Sequence, residues 1–138
     1  MGEAAELAQA EMLSDAERIL QLRELLWQGI SDLPYVKRNS NCAQSVSGIL
    51  NVTFANNGAQ GFDGEMLLLS LRDLAVSSGS ACNSASMSPS YVLKAIGLSD
   101  TQAQASLRFS VGRYTTREEI EFAVEHIRST VTKLLRTP

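Results

Sequence analysis

Cysteine is scarce in this chain. Two residues in 138, Cys42 and Cys82, cannot build the dense disulfide framework of a small secreted domain. No signal-peptide pattern precedes them, so free thiols in a reducing, cytoplasmic setting are expected. Histidine is scarcer still: His126 stands alone, and one histidine with two distant cysteines is no metal-ligand set. No apolar run is long enough to span a bilayer. A basic surplus is also missing. Twelve Lys and Arg stand against fifteen Asp and Glu, a net charge of -3. That balance gives no reason to expect nucleic acid or an anionic membrane as partner. No glycine-rich phosphate loop is present. Met1-Gly2 is followed by Glu6, where N-myristoylation needs Ser or Thr.

What remains suits one domain, residues 1–138, with its own core. Ala5, Ala8, Met12, Ala16, Ile19, Leu22, Leu26 and Ile30 recur at steps of three or four and predict a long first helix. Arg18 and Arg23 fall on its polar side. The helix ends at Gly29, Asp32 and Pro34 but has no capping residue at its start, as in a chain continuing something longer. A short edge strand follows at Tyr35–Arg38, then a polar loop from Asn39 to Gln44 carrying Cys42. Val46–Phe54 alternates as a half-buried strand, with Leu50, Val52 and Phe54 inward and Asn51 and Thr53 outward. After a turn-rich loop at Asn56–Gly61, Asp63 caps a helix running to about Asp73. Its leucines make it apolar nearly all round.

Leu74–Ser77 is a short strand leading into the tract around Cys82. Ser88-Pro89 starts a further helix that Gly97 ends, and Ser99 or Asp100 caps one more turn. Ala105–Gly112 is a second clear strand, with Leu107, Phe109 and Val111 on one face and Ser106, Arg108 and Ser110 on the other. Thr115 to Glu119 contains a capping box in either register. It opens a last helix with Ile120, Ala123, Ile127, Val131 and Leu134 inward. The expected fold is α+β: a small, mostly antiparallel sheet of three or four strands with helices on one face. The other face, bearing Arg108, is left free to meet something else.

Two residues offer chemistry. Cys82 lies in Ser77-Ser78-Gly79-Ser80-Ala81-Cys82-Asn83-Ser84-Ala85-Ser86, among small residues that cannot build a core around it. A thiol that must reach a substrate needs such access; most intracellular cysteines, though, are unreactive. Arg108 sits on a strand, and its planar fork suits a carboxylate or phosphate; it equally suits a solvated sheet face. Cys42 reads as incidental and His126 as a helix-flank residue.

The run Ala75-Val76-Ser77-Ser78-Gly79-Ser80-Ala81-Cys82, then Ser84-Ala85-Ser86 and Pro89-Ser90-Tyr91-Val92-Leu93, resembles the active-cysteine segment of NifS/IscS-like cysteine desulfurases. Leu107 to Thr116 followed by Glu118-Glu119-Ile120 resembles the next block of the same family. The similarity runs from the first helix to about Leu135. The resemblance implies the small C-terminal domain of a fold type I, class V enzyme of group I, which uses pyridoxal phosphate to take sulfur from L-cysteine and leave L-alanine. By it, Cys82 is the persulfide-forming nucleophile and Arg108 grips the substrate carboxylate. The lysine that bonds the cofactor, the histidine on its ring and the aspartate at its pyridine nitrogen lie in a large domain not represented here; Lys37, Lys94 and Lys133 match no such motif. The expected partners are that large domain, L-cysteine and a sulfur acceptor such as an iron-sulfur scaffold. By the resemblance, the extended tail that contacts the scaffold is expected to be missing after Pro138. Alone, the chain is expected to bind no cofactor and to be inactive. The alternative is a free-standing thiol or persulfide carrier, or a partner-binding module, without cofactor chemistry.

Overall fold

The computed structural model describes residues 2–40, 45–55, 62–78 and 89–136. Cys42, Cys82 and Ser88 lie outside them. The elements run α1 (Gly2–Ile30), β1 (Val36–Arg38), β2 (Ile49–Phe54), α2 (Gly64–Ser70), β3 (Ser77–Ser78), α3 (Tyr91–Ala95), α4 (Asp100–Gln104), β4 (Ser106–Ser110) and α5 (Arg117–Arg136). The strands form one antiparallel sheet in the order β1-β2-β4-β3. The α+β architecture expected from the sequence is the one observed.

The register explains why the sheet has two different faces. Leu50 pairs with Phe109 and Val52 with Leu107, so directly opposed residues put apolar side chains on one side. That side is the core. Leu50, Val52, Phe54 and Leu107 are fully buried there against Leu22, Leu26 and Ile30 of α1 and Ile120, Ile127 and Val131 of α5. Each such side chain contributes about 1.5–3 kcal/mol by leaving water. Gly29 permits the α1–α5 crossing, since a Cβ there would lie 2.5 Å from a Val124 methyl. Arg128 then donates to the Gly29 carbonyl at 2.8 Å, satisfying a carbonyl at the end of α1.

Several local expectations are corrected. The stripe along α1 is buried only in its C-terminal half; Ala5, Ala8 and Met12 are exposed. Arg23, expected from its charge on the polar side, is fully buried, and its guanidinium donates to the Val46 carbonyl and to Glu24. α2 is not buried all round: Leu67 and Leu71 face the core while Met66 and Leu69 face water. It also stops at Ser70, where Leu71 bonds back to Leu67 and Leu68. The strand expected at Leu74–Ser77 is displaced to Ser77–Ser78. Pro89 precedes α3 rather than opening it, and the residue at its N-cap is Ser90. Other signals hold as read. The Asp63 carboxylate accepts from the backbone of Glu65 and Met66. Gly97, at φ +96, ends α3. Thr116 and Glu119 are the register of the capping box that forms.

Candidate active site

The second sheet face carries the polar members of the same register. Asn51 pairs with Arg108, Arg108 with Ser77, Thr53 with Ser106 and Lys37 with Thr53. Residues two apart on a strand share a face, so these side chains belong to one surface. Among the described residues it is covered at one end only. Thr53 and Ser106 are buried, and the Ser106 hydroxyl donates to the Gln102 carbonyl of α4 at 2.6 Å. Beyond that covered end the face opens, and Arg108 is exposed on it.

Arg108 is held by what flanks it. Leu107 and Phe109 are both anchored in the core, so the backbone under the guanidinium cannot shift without disturbing that packing. Among the described residues its side chain makes no hydrogen bond or ion pair. Arg18, Arg23, Arg38, Arg113, Arg117 and Arg128 all bond to carbonyls or carboxylates. A guanidinium fixed at its base and without an internal partner is suited to an external anion.

Beside it lies a network the sequence did not disclose. Asn39 Nδ2 donates to Asn51 Oδ1 at 2.7 Å and reaches Ser106 Oγ at 3.3 Å. Asn39 Oδ1 accepts from Thr53 Oγ1 at 2.9 Å, and the Thr53 and Ser106 hydroxyls are 2.7 Å apart. Alternation placed Asn51 and Thr53 outward, but their link to Asn39 spans twelve or more residues and leaves no local pattern.

A second cluster was also missed, on the core side of β1. Glu24 accepts from Arg38 and from Arg23, and the Arg38 guanidinium lies 5.7 Å from the Trp27 ring centre. The Arg38 hydrogen bond holds the Glu24 carboxyl below its usual range; partial burial opposes this, and Arg23 adds to it. His126 stacks on Phe122 and lies 3.8 Å from Asp73, on α5 and away from Arg108.

Of the residues singled out by sequence, the structure thus places Arg108 on an open polar face. Cys82 lies outside the described residues, and its distance from Arg108 is not part of that geometry. Ser78, at the other edge of β4, pairs with Leu107.

This α+β domain, whose Arg108 has no partner among the described residues, is similar to known proteins. Residues 1–122 match the aminotransferase class-V family, and the chain belongs to it. It is similar to the cysteine desulfurase IscS of Aeromonas hydrophila, 52% identical over 134 residues, which is 97% of this chain and 32% of that one. IscS of Shewanella sp. strain ANA-3 is 51% identical over the same length. The chain therefore spans about a third of the length of the curated relatives it matches. Among solved structures, a NifS-like protein superposes with a TM-score of 0.76 at 27% identity, over 96% of this chain and 32% of that one. A NifS-like protein from Rickettsia africae has the same fold, with a TM-score of 0.77 at 24% identity over 95% and 33%.

Proposed function

We propose that this chain is the small C-terminal domain of a pyridoxal-phosphate-dependent cysteine desulfurase. Arg108 holds the carboxylate of L-cysteine, and Cys82 takes its sulfur. Overall, L-cysteine and the Cys82 thiol give L-alanine and a Cys82 persulfide. An S–S bond forms, the substrate C–S bond breaks, and the carbon left behind is protonated. The persulfide sulfur then passes to an acceptor protein such as an iron-sulfur scaffold.

The observation that carries this reading is Arg108: a guanidinium on a rigid strand, exposed and without an internal partner among the described residues. Chain connectivity supports Cys82 as its companion. Cys82 follows Ser78 by four residues, which limits its Cα to roughly 14 Å from that of Ser78. Ser78 borders Leu107, next to Arg108. A thiol on a short tether of small residues can collect sulfur at one point and present it at another.

The described residues do not themselves fit pyridoxal phosphate. The Arg108 face carries one lysine, Lys37, on the edge strand, and neither carboxylate nor imidazole accompanies it there. Lys94 is engaged by Asp100 at 2.8 Å, and Lys133 lies on α5 behind the sheet. No step is therefore assigned to the cofactor on this chain. The groups that hold it must come from polypeptide outside the described residues.

The test joins this chain, in trans or as a fusion, to the complementary two-thirds of the Aeromonas hydrophila relative and measures alanine released from L-cysteine. Alanine formation is expected. Cys82→Ala should abolish it, and Arg108→Ala should raise KM by at least tenfold, as loss of a charged hydrogen-bonded pair does. An assembled enzyme indifferent to both substitutions would end this reading. Persulfide uptake by Cys82 from an unrelated donor, with no alanine formed, would instead favour a simple sulfur carrier.

A further inference from the structure

We propose that Asn51 is a second substrate-positioning residue, presenting a side-chain N–H beside Arg108 to the same carboxylate. The inference rests on the reading that Arg108 takes that carboxylate. Asn51 and Arg108 are register partners on neighbouring strands, so their Cβ atoms stand about 4.5–5.5 Å apart on one face. The carboxamide of Asn51 is oriented from the far side. Its Oδ1 accepts from Asn39 Nδ2 at 2.7 Å, and Asn39 lies just past β1, across β2 from Arg108. With the oxygen turned toward β1, the amide nitrogen is carried toward β4. That nitrogen donates to nothing among the described residues.

The orientation is enforced by groups shut away from water. Asn39 cannot turn over freely, because its own oxygen accepts from Thr53 and its nitrogen also reaches Ser106. Thr53 is 1% exposed and Ser106 is fully buried, and the Ser106 hydroxyl is spent on the Gln102 carbonyl. A buried chain of this kind holds its terminal donor in place without reorganisation when a ligand arrives. A donor next to a guanidinium also has a restricted use. Two donors side by side repel a cation and converge on an acceptor of negative charge. A carboxylate gripped by an arginine fork retains lone pairs for one more N–H.

In the enzyme assembled from this chain and its complement, KM for L-cysteine is compared with the competitive inhibition constant of 2-aminoethanethiol, the same molecule without its carboxylate. Asn51→Leu is expected to raise KM about ten- to a hundredfold, the effect of one hydrogen bond to a charged group. The inhibition constant should stay within about twofold, since only carboxylate binding is lost. Asn51→Asp keeps the shape but replaces the donor with an anion that pairs with Arg108; its KM should rise further. The proposal is overturned if both constants move together in the two variants, which marks a structural role, or if neither moves. If Arg108→Ala also leaves the ratio of the two constants unchanged, both Asn51 and the Arg108 reading fall; if Arg108→Ala alone changes it, only Asn51 does.

Discussion

Glu24 is the residue on which two buried cations depend. Arg23 is fully buried and Arg38 nearly so, and Glu24 accepts hydrogen bonds from both. Replacing Glu24 by Gln removes the countercharge while both guanidinium groups stay buried. We expect a loss of about 1.5–3 kcal/mol at neutral pH, at the lower end because Glu24 is itself partly exposed. The effect is pH-dependent with a definite sign. The Glu24 carboxyl is lowered from 4.5 in the folded state, chiefly by its hydrogen bond from Arg38. Its contribution is therefore complete above that unfolded value and is lost as the pH falls through the folded one. Urea unfolding of wild type and Glu24→Gln at a series of pH values should give curves separated near neutrality and converging in acid. This cluster was not legible in the sequence. Charge assigns Arg23 to the solvent side, although it stands four residues after Ile19 and seven before Ile30 on the buried stripe, and only the return of the chain at Val46, twenty-three residues later, gives its guanidinium a partner there.

At the level of elements, helix starts and strand alternation were readable because both are local. Asp63, Ser99 and Thr116 cap helices whose first N–H groups lack partners, and that requirement is written within three residues. Extents were less readable. α2 ends at Ser70, where the Leu71 N–H turns back to the Leu67 and Leu68 carbonyls, a stop that its run of leucines does not signal. Its start is equally constrained: a Cβ on Gly64 would lie 2.0 Å from the Gln104 carbonyl oxygen at the end of α4. Gly64→Ala should therefore push α2 away from α4 and cost about 1–3 kcal/mol, although alanine favours helix elsewhere. Thermal denaturation followed by circular dichroism checks this; a melting temperature equal to or above that of wild type would contradict it. α4 matters beyond stability, since its Gln102 carbonyl anchors the Ser106 end of the polar network.

For the whole molecule, the division of labour is between two sheet faces. One is apolar and closed by α1 and α5; the other is polar and carries Arg108 in the open. No helix among the described residues is long and apolar enough to cross a membrane. Because the described residues do not fit pyridoxal phosphate, the chain by itself is expected to retain none after gel filtration and to release no alanine from L-cysteine. Absorption spectroscopy and alanine analysis check both. A protein-bound cofactor band on this chain alone would show that it holds a site outside the described residues.

The order of helices and strands, the two faces of β2 and β4 and the outward placing of Arg108 were determined by the sequence alone. Each follows from a period of two or 3.6, or from a cap within one turn. The resemblance in the Cys82 and Arg108 blocks is likewise linear and needs no coordinates. What only the tertiary structure decided is which polar residues meet. Asn39, Asn51, Thr53 and Ser106 come from two strands and the residue just past a third, and Arg23, Glu24 and Arg38 from a helix and an edge strand. Burial turns these separate polar residues into networks, because a polar group taken out of water must find a partner wherever the fold brings one.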